Sequence, residues 1–173
     1  MWSYSWQILS SPRGRGILAF SLIELLICIA LISTLAAIVT PLYADMMDDV
    51  RNSRSRIELI SLTDAIDDYE QLNGHFPVTL DELEGRLPRT DPWGEPYQYL
   101  RIRESLREVG KSGRLDAPAG ARKDRFMVPL NLDYDLYSKG KDRATVPPLT
   151  AAASHDDIIR AMEGSFFGLA STF

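Results

Sequence analysis

A long apolar segment, from Ile17 to Leu42, constrains this chain more than any other feature of its sequence. At about 1.5 Å of rise per residue, a helix over this segment spans roughly 39 Å, more than a hydrocarbon core of about 30 Å. Arg13 and Arg15 precede it without any acidic residue, so the positive-inside rule predicts a cytoplasmic N-terminus and an external C-terminal part. The alternative, a cleaved secretory signal, predicts a shorter apolar core that ends at a small-residue cleavage site.

One residue of this segment is unusual for a plain membrane anchor. Glu24 places a carboxylate among apolar residues, which costs a few kcal/mol and is rare in membrane helices. Glu24 therefore either extends back to the headgroup region or has a cationic partner at the same depth. Pro41 removes a backbone donor near the other end of the segment and predicts a kink there.

Composition and motifs exclude several classes of function. The net charge is −5, whereas a nucleic-acid-binding protein needs a basic face for the phosphates. Cys28 is the only cysteine and lies inside the apolar segment, so an intrachain disulfide is excluded. The chain contains no HExxH, CxxC or GxSxG motif, and Gly110-Lys111-Ser112 matches only the end of a P-loop. The sequence therefore predicts a protein that is not an enzyme.

Periodicity predicts one long helix followed by short strands. A stripe of apolar residues continues the helix beyond Tyr43: Leu59, Leu62, Ile66 and Tyr69. Asn73-Gly74 is a typical helix end, and a capping-box pattern at Thr79–Glu82 predicts the start of a short helix through Leu80 and Leu83. Three strand-like runs come next: Tyr97–Ile102, Phe126–Leu130 and Tyr134–Tyr137. The predicted fold is α+β, with a long N-terminal helix, half in the membrane and half soluble, packed on a small antiparallel β-sheet.

The run Phe20-Ser21-Leu22-Ile23-Glu24-Leu25-Leu26 resembles the class III signal of type IV pilins and type II secretion pseudopilins. In that family a prepilin peptidase cuts before the phenylalanine and N-methylates it, and the glutamate is the fifth mature residue. The resemblance implies cleavage between Ala19 and Phe20, N-methylation of Phe20, and an assembly role for Glu24 opposite the amine of a neighbouring subunit. It also places Pro41 where the family often has a helix-disturbing proline, although the family nearly always has glycine at the position of Ala19.

Three further blocks are similar to the major pseudopilin, the G subunit, of type II secretion systems: Asn73–Pro77, Asp91–Tyr97 and Tyr134–Asp142. The resemblance implies a leader peptide over 1–19, a transmembrane assembly helix over 20–43 and a periplasmic pilin-like domain over 44–173. It implies a single-pass inner-membrane protein that polymerises with itself and with minor pseudopilins or pilins. Prepilin peptidase and an inner-membrane assembly platform are the further partners implied, and protein secretion is the implied function.

The same resemblance implies a calcium site in the C-terminal loop. The matching carboxylates belong to Asp142, Asp156 and Asp157. The matching backbone carbonyls belong to Lys139 and Ser154. Calcium takes six to eight oxygen ligands, and it would hold together a loop that has no disulfide. The alternative is that Asp156-Asp157 caps a helix that continues through Ile158, Ile159 and Met162.

Two other functions remain open at this point. One is a major or minor pilin of a type IV pilus, although many major pilins close their C-terminal loop with a disulfide. The other is a membrane-anchored periplasmic binding domain that never polymerises; in that protein Glu24 would be dispensable and Phe20 would not be the mature N-terminus. The tail from Gly164 to Leu169 either packs on the domain or forms a contact between subunits.

Overall fold

The computed structural model describes residues 20–109 and 114–173. The predicted leader over 1–19, with Ala19, and the run Gly110-Lys111-Ser112 lie outside these residues. The chain divides into two compact units, the first ending at Leu42 and the second beginning at Tyr43.

One helix, α1, spans Leu22–Asn73. Phe20 and Ser21 precede its first residue and are not helical, and the predicted start at Ile17 lies outside the described residues. Pro41 lies inside the helix without ending it. The helix ends where the sequence predicts, since Gly74 has a φ of +77° and its N–H donates to the carbonyl of Glu70 at 2.7 Å.

Four antiparallel strands form one sheet in the spatial order β1-β4-β5-β6. Their bounds are β1 Gln98–Arg101, β4 Tyr134–Ser138, β5 Ile158–Ala161 and β6 Phe166–Leu169. A separate two-stranded ladder pairs β2, Arg107–Val109, with β3, Arg114–Asp116. The predicted α+β layout, a long helix on a small antiparallel sheet, is confirmed, and the tail is the last strand of that sheet.

The core lies between the second half of α1 and one face of the sheet. Leu59, Leu62 and Ile66 are fully buried at the spacing that the sequence predicts. They pack against residues of the sheet and of the chain that follows the helix: Phe76, Leu83, Tyr97, Tyr134, Leu136 and Ile158. Burying each of these large side chains stabilises the fold by about 1.5–3 kcal/mol. A second apolar cluster covers the opposite face of the sheet: Leu130, Leu149, Ile159, Ala161 and Ala170.

Two predicted elements are wrong and one is shorter than expected. Phe126–Leu130 is not a strand, because a turn at Asp124–Met127 leaves Phe126 99% exposed, without a strand beside it. The helix predicted as an alternative after Asp156-Asp157 is strand β5, paired on both sides. The short helix after Thr79 is a single 3₁₀ turn over Leu80–Glu82, and the Thr79 side chain makes no capping bond.

Candidate functional site

The predicted assembly residues lie at the start of α1. Phe20 is exposed, and the backbone N–H of Ser21 donates to Oε2 of Glu24 at 3.1 Å. The carbonyl of Ser21 accepts from the N–H of Leu25 at 3.2 Å. Ser21 is therefore the N-cap residue, and Glu24 occupies the third helical position, as in a capping box. The cleavage and methylation predicted at Phe20 stay predictions.

The first half of α1 exposes apolar residues on every side. From Leu22 to Leu42 the large side chains are all exposed, and this stretch is long and apolar enough to cross a membrane. Cys28 is among the exposed residues. Such a surface is stable only in lipid or against other apolar helices. This segment is therefore a candidate membrane anchor.

A second apolar surface continues along the soluble half of the same helix. Five large exposed side chains recur at spacings of three, four and seven residues: Tyr43, Met46, Val50, Ile57 and Ile60. We call these five residues the outer stripe. They lie on the side of α1 opposite the buried residues Leu59, Leu62 and Ile66, since the two sets differ by about half a turn at 3.6 residues per turn. Heptad spacing of this kind is typical of helices that pack against other helices.

The C-terminal loop between β4 and β5 brings two of the predicted calcium ligands together. The N–H of Asp142 donates to Oδ2 of Asp156 at 2.8 Å, and Oδ1 of Asp142 accepts from the N–H of Ala144 at 2.7 Å. Gly140 has a φ of +67° and lies tightly against Asp156. A Cβ at this position would lie 2.6 Å from the carbonyl carbon of Asp156. The close approach of the backbone at Gly140 and at Asp156 therefore requires glycine at position 140.

The third predicted carboxylate has a different environment. Asp157 is fully buried, and its Oδ2 pairs with the guanidinium of Arg122 and accepts a bond from the Thr145 hydroxyl at 2.6 Å. Its Oδ1 has no partner among the described residues. Arg122 thus supplies one positive charge to this carboxylate from within the protein.

The arrangement satisfies part of what calcium requires. An unpartnered carboxylate oxygen on Asp157 and the adjacent carboxylates of Asp142 and Asp156 are suitable oxygen donors. The carbonyl of Ser154, however, already accepts from the N–H of Asp157 at 3.3 Å. Across residues 20–109 and 114–173, no three acidic, histidine or cysteine side chains converge closely enough to hold a metal. Calcium at Lys139, Asp142, Ser154, Asp156 and Asp157 therefore stays a prediction.

The Asp-Pro-Trp-Gly block is hydrogen-bonded to the residue that precedes this loop. Asp91 is buried, and its Oδ1 accepts from the N–H groups of Trp93 and Glu95 at 3.0 and 2.9 Å. Its Oδ2 accepts from the hydroxyl of Ser138 at 2.5 Å, and that hydroxyl accepts from the N–H of Gly140 at 3.0 Å. The block therefore fixes the point at which the loop leaves β4.

Sequence reasoning missed a buried polar network behind the loop. Asp135 accepts from the backbone N–H of Arg122 at 2.6 Å and from the amide of Asn131 at 2.9 Å. Arg160 pairs with Asp133 at 2.6 Å and lies over the ring of Tyr134. The charged residues of this network occur in stretches whose sequence is typical of loops or strands, and nothing in their spacing indicates burial. The capping role of Glu24 was missed as well, although the Ser21-x-x-Glu24 spacing is a capping-box signal.

Comparison with known proteins shows similarity to proteins named type II secretion system core protein G. The chain is 28% identical over 102 residues to the type II secretion system core protein G of Pseudomonas aeruginosa, covering 47% of this chain and 71% of the relative. It is 27% identical over 128 residues to the same-named protein of Pectobacterium carotovorum, covering 62% and 75%. The same-named protein of Escherichia coli K12 is 27% identical over 131 residues, covering 61% and 88%. The resemblance predicted from the sequence is confirmed. No family model matches the chain, and no solved structure matches it.

Proposed function

We propose that this chain is a pseudopilin: a structural subunit of a type II secretion filament that is not an enzyme. The similarity to proteins named type II secretion system core protein G supports this function. The fold supports it too, because a long helix packed on a small sheet is the layout that the pilin-like resemblance implies.

The observation that carries the proposal is the outer stripe of α1. A membrane anchor alone accounts for exposed apolar residues up to Leu42. It does not account for Val50 and Ile57, which are 58% and 66% exposed within the unit that carries the sheet. Leaving these residues in water costs about 25 cal/mol for each Å² of apolar surface. Burial against the same helix of neighbouring subunits removes that cost, so the stripe favours a polymer over a monomeric anchored domain.

Assembly then follows from the chemistry at the start of α1. Prepilin peptidase cuts between Ala19 and Phe20 and N-methylates the new amine. Glu24 uses Oε2 to cap Ser21, and a carboxylate has further lone pairs available for the amine of the next subunit. Pairing in an apolar surrounding neutralises two charges that would each be costly alone. This pairing sets the register of subunits as they leave the membrane.

The topology and partners follow from the same assembly. The apolar half of α1 crosses the inner membrane once, with its N-terminus in the cytoplasm and the unit beyond Tyr43 in the periplasm. The partners are further copies of the chain, minor pseudopilins, prepilin peptidase and the inner-membrane assembly platform. Calcium in the C-terminal loop is implied by the resemblance alone, and the filament contacts described above do not require it.

The first test is the mass of the mature N-terminus. Full-length protein is extracted from membranes of cells with and without prepilin peptidase and is analysed by mass spectrometry. We expect a peptidase-dependent chain that begins at Phe20 and is heavier by one methylene group. A chain that retains Arg13 and Arg15 in both strains would contradict filament assembly and would leave an anchored domain.

A further inference from the structure

A buried arginine lies where the C-terminal loop returns to the sheet. Arg122 is 2% exposed. Its guanidinium pairs with Oδ2 of Asp157 and donates to the Thr145 hydroxyl at 2.5 Å and to the Val146 carbonyl at 2.7 Å. One planar cation therefore binds a carboxylate, a hydroxyl and a carbonyl from three positions of one loop, which a rigid five-donor guanidinium can do.

The arginine is itself held in place by the sheet. Its backbone N–H donates to the Asp135 carboxylate at 2.6 Å, and its guanidinium lies 4.4 Å from the centre of the Tyr137 ring. The next residue continues the attachment, because the N–H of Lys123 donates to the carbonyl of Pro147 at 3.1 Å. Arg122 is thus fixed to β4 on one side and to the loop on the other.

We propose that Arg122 supplies the cation that closes the loop between Lys139 and Asp157, so that this loop folds without a metal ion. A buried carboxylate needs an opposite charge, and Arg122 already provides it to Asp157. A divalent cation beside Asp157 would also face the guanidinium at short range, and like charges repel strongly at low local dielectric. The remaining carboxylates, Asp142 and Asp156, are satisfied in part by backbone N–H groups of the loop.

The test uses the full-length chain in detergent. Thermal unfolding of the sheet-containing unit is followed by near-UV circular dichroism, in EGTA and in millimolar calcium chloride. We expect the same Tm in both solutions for the unmutated chain. Arg122→Met leaves Asp157 buried without its counter-charge and should lower the Tm by about 10 °C in both solutions. Trypsin should then cut faster after Lys141 or Arg143, both exposed in the loop, at temperatures well below the Tm.

The matched control is Arg160→Met. Arg160 forms a similarly buried ion pair with Asp133, and its side-chain hydrogen bonds go to Asp133 and Tyr134 rather than to the loop residues that Arg122 binds. This variant should lose a similar amount of thermal stability and keep the loop resistant to trypsin. The contrast separates loop closure by Arg122 from the general cost of losing a buried pair.

Three results would overturn the proposal. Calcium could raise the Tm of the unmutated chain by several degrees, Arg122→Met could leave the loop protected from trypsin, or the two arginine variants could open the loop equally. If Arg122→Met does not fold, calorimetric titration of the unmutated chain with calcium decides the question. Heat of binding at this loop, lost in Asp156→Asn, contradicts the proposal, and its absence supports it.

Discussion

The backbone N–H of Ser21 donates a hydrogen bond to Oε2 of Glu24 across the first turn of α1, at 3.1 Å. This contact gives Glu24 a role within one chain that is separate from any role between chains. The two roles make different demands on the side chain. The cap needs an oxygen acceptor, which glutamine also provides, whereas pairing with a neighbour's amine needs a negative charge.

Substitutions at Glu24 therefore separate capping from assembly. We expect Glu24→Gln to insert in the membrane and be cleaved normally but to form filaments at less than about a tenth of the normal yield, since the charge pair is lost. Glu24→Ala should fail in the same assay, measured as filaments sheared from cells and quantified by immunoblot. Normal assembly of Glu24→Gln would show that capping is the only role of this residue.

The outer stripe predicts a site where one charge blocks polymerisation. Val50→Asp should abolish filament formation and leave the fold intact, because it places a carboxylate in a helix–helix contact that must be dry. The matched control is Val78→Asp, since Val78 is also 58% exposed but lies outside α1. Filament yield and cross-linking between subunits measure the effect. Equal yields from the two variants would contradict a role for the stripe.

Gly140 should tolerate no side chain. Gly140→Ala introduces a Cβ that overlaps the backbone of Asp156, and we expect it to lower the free energy of unfolding by roughly 3 kcal/mol. Gly74→Ala is the control, because Gly74 has a similar φ of +77° but open space around it. It should cost only about 1 kcal/mol, the penalty for a left-handed backbone. Denaturant unfolding measures both, and equal losses would exclude the steric explanation.

Asp135 predicts a specific pH dependence of stability. Burial raises the pKa of this carboxyl to about 6, against an ordinary value of 3.8. Because the folded state holds the proton more tightly, the contribution of Asp135 to stability is present at low pH and is lost as the pH rises through the folded pKa. Compared with Asp135→Asn, the unmutated chain should lose on the order of 2 kcal/mol between about pH 4 and about pH 7.

Denaturant titrations of the two proteins at several pH values measure this difference. Asp64→Asn, at an exposed position on α1, is the control and should follow the unmutated chain. If Asp135→Asn also follows the unmutated chain across this range, Asp135 ionises in the folded state without the cost that its burial implies.

Local sequence patterns predicted the parts of the fold that local physics determines. Leu59, Leu62 and Ile66 define the buried face of α1 by their spacing alone, and Gly74 ends the helix because it accepts a left-handed backbone. Strand β5 was less visible, since a short apolar run after two acidic residues also fits the start of a helix. Pairing with β4 and β6 decides its conformation, and that pairing involves residues distant in the sequence.

The candidate sites differ in how far apart their residues lie in the sequence. Ser21 and Glu24 are three residues apart, so their contact is a property of one helical turn. Arg122 and Asp157 are 35 residues apart, and Arg122 belongs to a stretch rich in glycine, proline and charge that reads as an exposed loop. The burial of a charged residue depends on a partner that only the tertiary fold supplies, and no local pattern reports it.

Arg122 also determines how this part of the domain opens. Its backbone and guanidinium contact β4, the middle of the loop and Asp157 at once, so none of these segments can detach without releasing the others. Their amide protons should therefore exchange with solvent at one common rate, as a single cooperative unit. The loop would then behave as an integral part of the sheet, and a fluctuation that opens the loop would also open β4.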